Sequence, residues 1–337
     1  MTNMFRMLAA ATLAFLVAVA APSAEAQSPV NPTAQSVQEE ALLNALRGGG
    51  DAVTGRVSIP DRNAGGLIKP DNPNWRQTHQ GLIWWLTVGS VVGMVLLLTA
   101  FYVLRGRIRI ESGWSGVRIL RFNGFERFIH WMTASCFIIL ALTGLNLIVG
   151  RFVLLPLIGP EAFAAVTQLG KLGHNYLAWP FMLGLVLMLL VWIKDNIPSR
   201  HDGAWLAAGG GLIGHGHPPA PRFNAGQKII FWSVILGGAA LSLTGVLLIF
   251  PELAGTTANW QLAQLVHAGV AAVLIAVMIA HIYIGSIGME GAFDAMGSGE
   301  VDLSWAREHH ALWVQEAEAA ARKRPGGPRP AAATPAE

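Results

Sequence analysis

Residues 263–288 read AQLVHAGVAAVLIAVMIAHIYIGSIG, a run with no Asp, Glu, Lys or Arg. A helix of about 20 apolar residues is enough to cross a hydrocarbon layer about 30 Å thick, so this run is a membrane span. Two histidines, His267 and His281, interrupt it. Fourteen residues of helix place them about 21 Å apart along the axis and within about 40° of one face. Imidazoles are costly against lipid, so both must face the interior of a bundle and find partners there. Two readings follow from this helix alone: packing or proton-relay histidines, or one ligand for each of two metal centres stacked across the bilayer.

The composition agrees with a membrane protein. The chain has 337 residues, 53% hydrophobic and only 13% charged, and its net charge of +3 gives no nucleic-acid signature. The single cysteine, Cys136, lies in an apolar run. That excludes a disulfide framework, covalent haem c, an iron–sulfur cluster and a cysteine zinc site. Redox chemistry in such a chain needs a non-covalent cofactor.

Four further apolar runs precede the first, at 81–104, 128–149, 174–193 and 229–250. Residues 1–26 carry Arg6, an apolar core and Ser-Ala-Glu-Ala, which reads as a signal peptide cleaved after Ala26. Residues 27–80 are polar and rich in Pro, Gly and Asn, an extracytoplasmic segment. With the first span running inward, the 105–127 loop with its six Arg falls in the cytoplasm. So does the 194–228 loop with Lys194, Arg200, Arg222 and Lys228. The 150–173 and 251–262 loops hold few basic residues and fall outside, following the positive-inside pattern. We expect 199–221 to be a flexible loop, in which His215 and His217 lack a nearby carboxylate for a metal site. We expect 300–324 to be a surface helix within a cytoplasmic tail, 290–337.

The core is duplicated. RFNGFERFIHWMTASCFIILALTG at 121–144 aligns with RFNAGQKIIFWSVILGGAALSLTG at 222–245, and Leu172 and His174 align with Leu265 and His267. The expected fold is therefore all-α, a four-helix transmembrane bundle over 105–289 with one additional N-terminal transmembrane helix at 81–104. The repeat breaks at two places. His130 aligns with Phe231, and His281 with Met188. Topology sorts the four histidines by depth: His130 and His281 toward the cytoplasm, His174 and His267 toward the outside. Two imidazoles at each of two levels are what bis-histidine ligation of two haem irons requires. A proton relay would more naturally carry an intramembrane Asp or Glu, and the five runs have none. Two haems across a membrane form an electron path, and a lipid-soluble quinone is its natural acceptor. Asn224, Gln227 and His281 are candidate contacts for the quinone oxygens, beside an apolar surface expected at Phe231. The other reading of Asn224 and Gln227 is a cap on the helix end.

At these residues the chain resembles the gamma subunit (cytochrome b556) of membrane-bound respiratory formate dehydrogenases. The resemblance rests on RFNGFERFIHW, ALTGLNLIVGR, KLGHNYLAWPFMLGLVLMLLVWIKDNIP, RFNAGQKIIFW, the His267/His281 helix and the AREHHALW tail. It covers about 119–318. It implies two haems b, ligated by the pairs His174/His267 and His130/His281, and a menaquinone or ubiquinone site beside Asn224 and Gln227. It also implies an iron–sulfur beta subunit and a molybdenum or tungsten alpha subunit that oxidises formate, all at the bacterial cytoplasmic membrane. The signal peptide, the 27–80 segment and the 81–104 helix depart from the short members of that family. The alternatives are the cytochrome b subunit of a hydrogenase or thiosulfate reductase and, from another class, a haem-free anchor or transporter.

Overall fold

The structure is a computed structural model and describes residues 75–211 and 218–323. The signal peptide, the 27–80 segment up to residue 74, His215, His217 and the last fourteen residues lie outside the described residues.

Five long helices dominate: α1 (Thr78–Arg105), α2 (Gly124–Val153), α3 (Leu155–Trp192), α5 (Ala225–Ile249) and α6 (Thr257–Tyr283). A short helix α4 (Arg200–Ala207) lies between α3 and α5, and α6 is prolonged by a π-helical turn, Ile284–Gly288. All five are long and apolar enough to cross a membrane. Their outer surfaces keep large apolar side chains exposed, such as Leu96, Val103, Leu142, Leu190 and Leu243. Such surfaces belong in lipid, where helices satisfy their own backbone.

The two repeats begin alike. Asn123 caps α2, its Oδ1 accepting from the Phe125 and Glu126 N–H groups, while Glu126 accepts from the Asn123 N–H. Asn224 and Gln227 build the same reciprocal cap on α5. Within each repeat the two helices pair as a hairpin, α2 with α3 and α5 with α6, and α3 meets α5 across the bundle. Small residues allow the close approaches. A Cβ on Gly238 of α5 would lie 2.7 Å from Leu185 Cδ1 of α3.

α1 lies on the outside of α6 and runs parallel to it. Ile83 faces Gly269, Ser90 Oγ donates to the Ala272 carbonyl at 3.1 Å, and Phe101 meets Tyr283 edge-on. Gly269 and the buried Ala272 give α1 its seat.

At the arginine-rich end the chain forms a cap. Strands β1 (Arg118–Leu120) and β2 (Glu300–Asp302) pair antiparallel, Ile119 opposite Val301. Around them lie α7 (Asp294–Gly297), α8 (Leu303–His309) and α9 (Ala311–Lys323). The repeat is visible here as a reciprocal clasp: Arg121 Nη2 donates to the Arg222 carbonyl at 2.6 Å, and Arg222 Nη2 to the Arg121 carbonyl at 3.1 Å.

Three sequence expectations are corrected. The 150–173 stretch is helical for most of its length, with α2 running on to Val153 and α3 starting at Leu155. Only Gly159, with φ 78° and followed by Pro160, breaks it. The supposed loop after residue 199 starts with α4, which Ser199 and Asp202 cap and Lys228 anchors through both Asp202 oxygens at 2.9 Å. The 300–324 stretch is no single surface helix. Trp305 and His310 are buried, packed against Arg121 and the Pro221 carbonyl.

Candidate functional site

His174 of α3 and His267 of α6 face each other with ring centroids 6.2 Å apart and planes inclined by 59°. His130 of α2 and His281 of α6 do the same, also at 6.2 Å and 59°. The separation is informative. A metal–imidazole bond is about 2.0 Å and a ring nitrogen lies about 1.1 Å from its centroid, so two imidazoles holding one metal from opposite sides stand about 6.2 Å apart. Among the described residues no three His, Cys, Asp or Glu side chains converge on one point. A two-imidazole set suits an iron whose other four nitrogens come from a porphyrin. Both pairs share α6, on which the fourteen-residue spacing separates them by about 21 Å.

The hydrogen bonds around the first pair fix its chemistry. Thr143 Oγ1 lies 2.8 Å from His174 Nδ1, and Thr244 Oγ1 lies 2.9 Å from His267 Nδ1. Each threonine already donates its one hydroxyl proton to a carbonyl of its own helix, Ile139 and Ala240 respectively. Each hydroxyl oxygen therefore accepts from the imidazole, so Nδ1 carries the proton and Nε2 is left with a free lone pair. The next residue in each repeat, Gly144 or Gly245, leaves room beside the ring. A Cβ there would come within 3.5 Å of His174 Cε1 or 3.4 Å of His267 Cε1.

A cavity of about 230 Å³ opens at this level. Leu145, Ile148, Phe181, Ala271 and Ile275 give it apolar walls, as a porphyrin face requires. His79 and Thr87 of α1 also reach it.

The second pair is built differently. His130 packs edge-on against Trp131, whose indole N–H donates to the Met296 carbonyl at 2.8 Å. His130 Nδ1 is buried and has no protein partner. Phe231 and Met188, the repeat counterparts of this pair, sit in one buried cluster with Ile129, Trp192 and Ile235. The apolar surface expected at Phe231 is thus interior packing, 7% exposed. The duplication places the first pair at matching positions of both halves, whereas the counterparts of the second pair are Phe231 in the second half and Met188 in the first, both apolar.

Asn224 and Gln227 lie at the start of α5, at the arginine-rich end. Their carbonyl oxygens serve the helix cap. Among the described residues their NH₂ groups donate to no protein acceptor. The two threonines escaped the sequence reading as site residues, although the Leu-Thr-Gly coincidence of the repeat already marked their positions. Nothing in the sequence marked His79.

The family model for prokaryotic cytochrome b561 matches residues 121–299, which contain all four histidines and both threonines. The chain belongs to that family. This b-type cytochrome is an integral membrane protein, and its cofactor is haem b. It is similar to the nitrate-inducible formate dehydrogenase cytochrome b556(Fdn) subunit of Escherichia coli K12, 29% identical over 211 residues, covering 61% of this chain and 94% of the relative. The formate dehydrogenase cytochrome b556(fdo) subunit of the same organism is 29% identical over 202 residues, covering 59% and 92%. The formate dehydrogenase cytochrome b556 subunit of Haemophilus influenzae is 26% identical over 207 residues, covering 59% and 83%. Residues before 121, and with them α1, lie outside the family match.

Proposed function

We propose that this cytochrome is the membrane subunit of a formate dehydrogenase, carrying electrons through two haems b to quinone. The observation that carries the proposal is the pair of imidazole couples, each spaced for one iron, at two depths of a single helix. His174 and His267 hold the outer haem, and His130 and His281 the inner one. Bound haem supplies a one-electron carrier at each level. The chain does the rest. Thr143 and Thr244 present Nε2 of the outer ligands to the iron, and the apolar walls exclude water.

The arginine-rich end faces the cytoplasm, by the positive-inside preference, in a bacterial inner membrane. The mature N-terminus is then periplasmic. There a molybdenum or tungsten subunit oxidises formate to carbon dioxide, and an iron–sulfur subunit delivers the electrons to the His174/His267 level. Quinone takes up two electrons and two protons near the His130/His281 level. The free NH₂ groups of Asn224 and Gln227 donate to its oxygens.

The test is to purify the complex from native membranes and assay formate-to-quinone electron transfer. Reduction of both haems by formate, followed by their reoxidation with added quinone, is the expected result. Co-purification with a hydrogenase or thiosulfate reductase large subunit, without formate-dependent haem reduction, would assign the chain to another oxidoreductase.

A further inference from the structure

We propose that His79, on α1, is a binding residue for the outer haem, donating a hydrogen bond to the carboxylate-bearing edge of the porphyrin. The inference rests on the reading of His174 and His267 as that haem's ligands.

α1 is not a loose appendage. Thr87, 1% exposed, and His79 both line the cavity between the two ligands. With α1 parallel to α6 and Ile83 against Gly269, His79 lies about one helical turn nearer the outer mouth. The segment that carries it, Thr78–Ile83, is a π-helix. That is a rare backbone form, found mostly as single turns at functional sites. The imidazole is stacked on Trp75, with ring centroids 5.1 Å apart and planes inclined by 22°, which fixes its plane.

Haem carries two carboxylates on one edge, and an ionised carboxylate in an apolar pocket needs donors or a cation. The cavity wall offers few. The Thr87 hydroxyl is bonded to the Ile83 carbonyl and the Ser242 hydroxyl to the Gly238 carbonyl. The Thr143 and Thr244 hydroxyls are engaged with their own helices and the ligands. Lys171, His79 and the side-chain amides of Asn175 and Gln264 remain as donors on the wall, and Lys171 and His79 are the basic groups among them. Lys171 Nζ holds Asn175 Oδ1 at 3.0 Å and keeps further protons free. The two flank the cavity from different helices, Lys171 on α3 and His79 on α1. The additional helix therefore completes the polar rim that the four-helix bundle supplies only in part.

The experiment is a spectroelectrochemical titration of the purified complex, wild type against His79→Ala and His79→Gln, with His267→Ala marking which step belongs to the outer haem. A donor beside the carboxylate offsets its negative charge and favours the reduced iron. His79→Ala should therefore move the outer step to lower potential and leave the inner step in place. His79→Gln, which keeps an N–H, should stay closer to wild type. Loss of the outer haem from His79→Ala but not from His79→Gln supports the inference equally. An outer step unmoved in His79→Ala, both steps moving together, or loss of the haem from both variants would overturn it. A wild-type titration without two separate steps would remove the ligand assignment itself, and the inference with it.

Discussion

A hydroxyl group settles which nitrogen of His174 and of His267 keeps a free lone pair. Thr143 and Thr244 accept from Nδ1, which raises the basicity of Nε2 and would favour the ferric state of an iron held there. His130 of the other pair has no such partner. Thr143→Val and Thr244→Val should each raise the midpoint potential of the outer haem and leave the inner one unchanged, as read by redox titration. A second residue-scale outcome concerns His310. It is fully buried, donates Nδ1–H to the Pro221 carbonyl at 2.9 Å and faces Arg121 Nη2 at 3.1 Å. Burial first, and then the Arg121 charge, hold its pKa well below the ordinary value. The folded cap thus takes up a proton less readily than the unfolded chain. Its contribution is complete above about pH 6.5 and is lost as pH falls below that. Limited proteolysis of the 290–323 cap should accelerate between pH 7 and pH 5, and His310→Phe should flatten that response. The pairing of the four histidines was legible because charge-free runs and a fourteen-residue spacing constrain depth and face together. The threonines were not, since their partners lie across a helix interface that no local pattern encodes.

At the scale of elements, the hairpins depend on close helix crossings and shared caps. Gly238→Val would drive a side chain into Leu185 at the α3/α5 crossing. It should cost about 1–3 kcal/mol, seen as earlier thermal unfolding with haem ligation initially intact. Asn224→Ala removes the α5 cap and should cost about 1 kcal/mol. It should also raise the KM for quinone without altering either haem spectrum, an outcome that a cap alone would not produce. The spans themselves were readable from hydropathy. The helical 150–173 stretch was not, because Lys171, Glu161 and two prolines imitate a loop. The chain needs only one break there, at Gly159. The tail misled for a related reason. Trp305 and His310 look amphipathic in sequence, and only the β1–β2 pairing and the stacked Arg121 bring them inside.

At the scale of the whole molecule, duplication explains both the likeness and the asymmetry of the two imidazole pairs. The His174/His267 pair joins equivalent positions of the two repeats. The His130/His281 pair has a counterpart slot filled by Phe231 and Met188. Under the proposed function this arrangement makes a conductor with one centre at each depth. The measurement that tests this most directly is the haem content per polypeptide, from the absorbance of the extracted pyridine complex. The account predicts two haems b in the wild type, one in His267→Ala and one in His130→Ala. A wild-type content of one, or two haems retained when His267 is removed, would contradict it.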